Sequence, residues 1–170
     1  SLLEEEGCAV DVLQGLAGEG LALERVLADP ADARRRAELL QALRRSGELA
    51  AVQAVVQRAS RLADKGTLAS GVCSPSGGVV EALFEKGSEA AMLKVLRELE
   101  PVATGKDPDR YRDLARGLAE SASTLAAFFD GADSVLVMAE DPAVRSNRLN
   151  LLGVLRNQAA VLADFNRLAG

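Results

Sequence analysis

Residues 48–65, E-L-A-A-V-Q-A-V-V-Q-R-A-S-R-L-A-D-K, decide the fold class. Leu49, Val52, Val56, Ala59 and Leu62 recur at helical spacing, while Arg58, Arg61 and Lys65 fall on the opposite face. The pattern predicts an amphipathic helix with one buried stripe and one basic outer ridge. Gly66 ends it.

Working outward, Asp29-Pro30 supplies a cap and a first-turn proline, so the preceding helix is expected to run through Arg45 and stop near Gly47. Cys8 to Leu27 reads as two short helical pieces interrupted by Gly15, Gly18 and Gly20, a helical extension over residues 1–28 of the same domain. Downstream, residues 67–78 (T-L-A-S-G-V-C-S-P-S-G-G) read as a surface loop. Helix is expected from Val79 to Glu85, and again from Ser88 to Ala103 with Ala91, Val95, Leu96 and Leu99 inward. Asp107-Pro108 repeats the cap-and-proline start and opens a long helix over Asp109 to Phe129. Gly131 to Met138 is a connector in which Val135 and Val137 are expected to be extended, and Asp141-Pro142 opens a last helix ending near Leu168. The sum is one all-α domain over residues 1–170, a bundle of six to eight helices without an internal repeat.

Composition agrees with this class. Ala, Leu, Arg and Glu dominate, all good helix formers, and the aromatic set is only Tyr111, Phe84, Phe128, Phe129 and Phe165. There is no histidine, which removes Ser/His/Asp and Cys/His catalysis. Two lone cysteines, Cys8 and Cys73, make neither a disulfide framework nor a zinc site, so an intracellular setting is the default expectation. No apolar run approaches the roughly 20 residues of a membrane span, and the start at Ser1 with Glu4, Glu5 and Glu6 is no signal pattern. The start without Met is read as a piece of a longer protein. Gly77 and Gly78 lack the spacing of a phosphate loop, and Asp130, Asp133, Glu140 and Asp141 lack that of a calcium loop.

Net charge is −5, but its distribution is uneven. Residues 1–24 hold six acids and no base, whereas residues 25–65 hold nine bases against five acids, and residues 145–167 hold four against one. Sixteen of the twenty bases are Arg, whose planar fork suits phosphates and stacks on bases. Arg34, Arg35, Arg36, Arg44 and Arg45 form the densest cluster, with Glu38 placed to pair with Arg34. Arg145 and Arg148 open the last helix, where cations oppose the helix dipole and need a specific partner. For Arg148 an internal bridge to Glu140, Asp141 or another carboxylate is favoured; Arg145, Asn147 and Arg156 are expected to face solvent. Phe128 and Phe129 are expected in the core.

The tail adds a family likeness. Residues 128–156, F-F-D-G-A-D-S-V-L-V-M-A-E-D-P-A-V-R-S-N-R-L-N-L-L-G-V-L-R, followed by V-L-A-D-F-N-R-L to residue 168, resemble the C-terminal signature of bacterial-type glycyl-tRNA synthetase β subunits. There a Phe-Phe-Asp leads into V-M-V-M-A-(E/D)-D and an R-x-N-R-L-x-L-L-x-x-L-R helix. Upstream, L-R-E-L-E-P-V-A at 96–103 and E-L-A-A-V-Q-A-V-V-Q-R-A-S-R-L at 48–62 match weaker family patterns in the same order. In the second, Val56-Gln57-Arg58 stands where the family has Asn-Lys-Arg, so one family base is absent.

The resemblance implies a DALR-type helical anticodon-binding domain of the kind shared with arginyl-tRNA synthetase. Its partners would be the anticodon stem-loop of tRNA(Gly) and the remainder of the synthetase, with neither DNA nor membrane. The RNA-contacting set drawn from the basic ridges is Arg44, Arg45, Arg58, Arg61, Lys65, Arg145, Asn147, Arg148 and Arg156. No catalytic residue, metal or cofactor is expected in this domain; ATP and Mg would serve the catalytic α subunit or α region. The departures from the bacterial pattern point to a plant plastid or other organelle, with a bacterial cytoplasm as the alternative. A helical scaffold for protein partners is the competing function. Purified chain is therefore expected to form no glycyl-adenylate in an ATP–pyrophosphate exchange assay, and measurable exchange would contradict the domain assignment.

Overall fold

The computed structural model describes residues 30–168. Among them five α-helices follow in order: α1 (Pro30–Ser46), α2 (Glu48–Ala63), α3 (Gly87–Thr104), α4 (Arg110–Ala126) and α5 (Pro142–Ala160). Two 3-10 turns stand at Glu81–Leu83 and Phe165–Arg167. The all-α class holds, but the described residues carry five α-helices rather than six to eight. The helical pieces and the Asp29 cap expected within residues 1–29 lie outside the described residues.

Local chemistry explains most boundaries. Gly47 joins α1 to α2 at φ 83°, a left-handed conformation that glycine adopts without Cβ strain. Asp141 caps α5 as expected, its carboxylate accepting from the N–H groups of Ala143 (2.8 Å) and Val144 (3.4 Å). At the start of α4 the Asp107 carboxylate accepts from the Asp109 N–H at 2.8 Å, and the helix proper begins one residue later.

Three expected segments differ, each because tertiary partners take the backbone groups a helix or strand would use. Val79 to Glu85 forms only the short 3-10 turn: Asn147 bonds both the N–H (2.7 Å) and the C=O (3.0 Å) of Val80, and Glu89 takes the Glu85 N–H at 2.9 Å. Val135 and Val137 form no strand, since the Val135 N–H goes to the Phe128 carbonyl and the Leu136 carbonyl to Arg148. The last helix stops at Ala160 rather than near Leu168, and the chain turns back over α2, where Gln53 donates to Leu168 O and Gln57 to Phe165 O.

Packing centres on α5, which lies against α2 and α3, while α4 closes the bundle against α1, α2 and α3. Twelve of the 19 residues of α5 are buried, so this helix is enclosed rather than amphipathic. Leu151, Leu152 and Leu155 meet Leu96, Leu114, Leu118, Phe128 and Phe165 in one core, all of them essentially inaccessible. Each such side chain contributes roughly 1.5–3 kcal/mol by leaving water. Leu49, Val52, Val56 and Ala59 of α2 are buried as predicted, and Leu62 is partly so.

One arc of α5 is polar, with Asn147, Asn157 and Gln158 buried and Asn150 partly so. Asn147, Asn150, Asn157 and Gln158 donate to the carbonyls of Val80, Gly78, Ala69, Val72 and Cys73 at 2.7–3.0 Å. The loop between α2 and the first 3-10 turn is thus bonded along most of its length to a single helix, which satisfies a backbone that has no regular partner. Leu68 packs into the notch over Gly153, where an added Cβ would stand 2.8 Å from its Cδ2. Gly153→Ala should lower unfolding stability by roughly 1–3 kcal/mol through overpacking. Urea melts should show part of that loss recovered by Leu68→Ala in the same chain; a neutral Gly153→Ala would show that the notch closes without strain.

Candidate nucleic-acid interface

The outer face of α2 carries the basic ridge. Arg58 and Arg61 are exposed, one turn apart on a helix whose opposite face is core, and exposed Lys65 continues the ridge in the turn just after the helix ends at Ala63, two residues short of the expected end. Among the described residues the Arg61 and Lys65 side chains make no ion pair, so both charges are available to a ligand. Arg58 is held differently. Its Nη1 lies 3.1 Å from Asp130 Oδ1, and its guanidinium sits over the Phe129 ring, 4.6 Å from the centroid. Phe128 meets Phe129 edge-on at 5.5 Å and is itself fully buried, so the ring beneath Arg58 is fixed to the core.

Arg156 of α5 joins one end of this ridge. It donates to Leu68 O at 3.2 Å, bonds Asn157 at 3.1 Å and reaches Asp64 of the α2 C-cap at 3.6 Å. Its side chain retains 20% exposure, so it is a braced, half-open cation. Arg45 lies beyond the other end of α2, exposed at the last turn of α1, roughly 24 Å away along a 16-residue helix. Arg44 beside it is half-buried.

Other candidates are used internally. Arg36 is 2% exposed, paired with Asp32 at 3.1 Å and lying over Tyr111, so part of the densest Arg cluster is structural. This is an i,i+4 pair on α1, and its carboxylate lies six residues before Glu38, the partner expected for Arg34. Asn147 was expected at the solvent face. It is 3% exposed with both ends of its amide on Val80, because the backbone of that residue has no other partner. Arg145 is half-buried and donates to Ala139 O at 3.0 Å.

Arg148 forms the buried bridge that the dipole argument required, with Glu85 and Glu89 rather than Glu140 or Asp141. Its Nη2 lies 2.8 Å from Glu85 Oε1 and 3.4 Å from Glu89 Oε1, and its Nη1 donates to Leu136 O at 2.7 Å. Glu89 is completely buried, and its carboxylate also accepts from the N–H groups of Glu85 and Lys86 at the start of α3. One guanidinium thereby joins α5, the head of α3 and the connector before α5. Asn147 and Arg148 are spent on the fold, and the nine predicted residues do not make a single patch. Arg145 is half-buried on Ala139 O, and the other six are the ridge of Arg58, Arg61 and Lys65 with Arg156 at its end, plus an outlying Arg44–Arg45 pair.

Nothing among the described residues suggests covalent or metal chemistry. No group of three potential ligands from His, Cys, Asp and Glu comes together. Burial, with a smaller push from Glu100, raises the Cys73 thiol above its ordinary value, the reverse of an activated nucleophile. No described helix is long and apolar enough to cross a membrane.

No family model matches the chain. Individual relatives do. The glycine–tRNA ligase beta subunit of Acaryochloris marina is 45% identical over 169 residues, which is 98% of this chain and 24% of that subunit. That of Synechocystis sp. is 39% identical over 177 residues, again 98% of this chain and 24% of the subunit. Over nearly its whole length the chain is homologous to glycine–tRNA ligase beta subunits. More distant relatives match along the same length: the Acinetobacter baumannii subunit is 34% identical over 171 residues, 98% of this chain and 22% of its own. The chain therefore spans about a quarter of the length of the curated relatives it matches.

Within the tail signature the structure separates binding candidates from framework. Asn147, Arg148, Leu149, Leu151 and Leu152 are all buried framework residues, whereas Asp130 is exposed beside Arg58 and Phe129, partly buried against the core, supports it from beneath. The expectation of Phe128 and Phe129 in the core holds for Phe128 and in part for Phe129, whose ring also meets Arg58, while Asp130 enters the sequence pattern only as a rejected calcium ligand. The signal that would have found them is Arg58, a cation whose neighbours across the bundle are named by no local pattern. Arg148→Met should cost about 3–5 kcal/mol, since it leaves the Glu89 charge buried and unpaired. Glu85, 62% exposed, should tolerate Glu85→Gln with a loss under about 1 kcal/mol. Equal losses in chemical denaturation would show that Glu89 is not the partner that matters.

Proposed function

We propose that this chain grips the anticodon arm of tRNA(Gly) as part of a glycine–tRNA ligase whose catalysis takes place elsewhere. The observation that carries the reading is the α2 ridge: Arg61 and Lys65 are exposed, make no ion pair among the described residues, and stand beside the displayed Arg58. Cations free of internal partners at the end of a packed helix and in the turn that follows suit contacts with a phosphate backbone, and phosphate neutralisation supplies much of RNA affinity. Homology to the beta subunits supports tRNA as the nucleic acid. In this reading the full enzyme joins glycine to tRNA with ATP and Mg in its catalytic α subunit or region, and this chain contributes affinity and orientation.

The remainder of the synthetase is the second partner. Leu136 is 70% exposed, Val80 51% and Met138 41%, apolar side chains on the segments held by Asn147 and Arg148. Such surface is suited to contact with another part of the enzyme. The cyanobacterial relatives agree with a plastid as the compartment and equally with a bacterial cytoplasm.

Neutralising the ridge tests the proposal. Arg61→Ala with Lys65→Ala should weaken binding of tRNA(Gly) to this chain and flatten the slope of log K against log salt by about 1.4 to 1.8 units, at about 0.7 to 0.9 per lost contact. Helix content by circular dichroism should not change, because neither side chain touches the core. Unaltered affinity and slope at matched salt would show that the ridge is only a solvated surface.

A further inference from the structure

Beside the ridge, a cleft of about 330 Å³ opens between α2 and α4. Ala51, Ala54 and Val55 line it from α2 and Ala122 and Ala126 from α4, with Phe129 closing the end. Its only charged lining groups are Arg58 and Asp130, 51% and 72% exposed. The volume lies at the lower end of the range for small-molecule sites, about 300–1,000 Å³, which suits one ring system.

We propose that this cleft seats a single unstacked RNA base, whose edge is read by Arg58 and Asp130. The inference rests on the anticodon-arm reading and adds the base-binding site to it. A nucleobase has apolar faces and a polar rim, and the cleft has the complementary form: an alanine floor with charged groups at one side. Short side chains let a flat ring approach the helices closely. The Arg58 guanidinium, supported on the Phe129 ring, is a planar cation of the kind that stacks on bases. Its contact with Asp130 is through one nitrogen and one oxygen, which leaves Asp130 Oδ2 and the remaining guanidinium N–H groups for a ligand. A carboxylate acceptor beside fixed donors recognises an edge in which an N–H stands next to a ring nitrogen or carbonyl acceptor. Phosphates on the α2 ridge would then fix the strand, and the cleft would read one nucleotide of it.

The test uses the full chain and short RNA hairpins of the tRNA(Gly) anticodon arm in which each loop nucleotide in turn is abasic. For the wild type, one abasic position should weaken binding about fivefold to a hundredfold, with little change in salt slope. Ala54→Phe and Ala126→Phe each fill the cleft from a different helix. Either should weaken the intact hairpin by a similar factor and abolish the difference between intact and abasic loops. Asp130→Asn should change the preference among bases at that position, whereas Arg58→Lys, which keeps the charge, should keep the salt slope but lose the preference. If both filled variants fold and bind the intact hairpin as wild type does, the cleft holds no base. If they instead weaken assembly with the rest of the synthetase, the occupant is protein and the inference fails while the ridge reading stands. If the wild type binds neither hairpin nor tRNA(Gly), both fall together.

Discussion

A stretch of backbone without helix or strand needs hydrogen-bond partners, and in this protein α5 supplies them. Residues 68 to 80 cross the bundle with carbonyls that pair with Asn147, Asn150, Arg156, Asn157 and Gln158. Each bond is worth only about 0.5–1.5 kcal/mol net, yet leaving the acceptor buried and unpaired costs about 1–3 kcal/mol. The set therefore acts as a specification: the loop has one low-energy path, and α5 has one rotation about its axis. Leu68 over Gly153 adds a steric reading of the same register.

The buried Arg148 extends this constraint to charge. Glu89 is taken wholly out of water, a costly step that the guanidinium and two backbone N–H groups offset. Because Arg148 also holds Leu136 O, the connector before α5 is fixed with it. The consequence is felt at the surface. The Phe128–Phe129–Asp130 turn at the end of α4 is anchored by Phe128 in the core, and it meets α2 where Arg58 emerges. Arg58 is thus an exposed cation held by an aromatic support anchored in the core and by the exposed Asp130 carboxylate beside it.

An acidic chain presents a basic face only where its charges are separated, and the bundle achieves this by helix orientation. The α2 ridge faces out because the aliphatic stripe on its other side faces α5. Many of the remaining arginines are neutralised by near neighbours: Arg36 by Asp32, Arg97 by Glu81, Arg112 by Asp109 and Arg167 by Asp164. Arg61 and Lys65, by contrast, make no ion pair among the described residues. Exposed pairs such as Arg97–Glu81 are screened and contribute little energy, but they lower the local field.

The sequence by itself determined the all-α class, the amphipathic face of α2 with Arg58, Arg61 and Lys65 outward, and the Asp141 cap with its following proline. These are short-range properties: periodicity and capping act within a few residues, so a single sequence displays them. It also required a partner for Arg148, a cation at a helix N-terminus, and favoured an internal carboxylate while keeping the residue in the RNA-contacting set, without deciding which partner. Only the tertiary structure decided that Glu89, 59 residues away, is a buried partner. It also decided that Asn147 turns inward and that residues 79 to 85 and 161 to 168 leave the helical path. In each case a polar side chain distant in sequence outbids the local backbone for a hydrogen bond, and no local pattern encodes that competition. The pairing of Arg58 with Phe129 and Asp130, 72 residues apart for the ion pair, belongs to the same class. It exists because α2 and α4 pack side by side, and that adjacency is a property of the folded bundle alone.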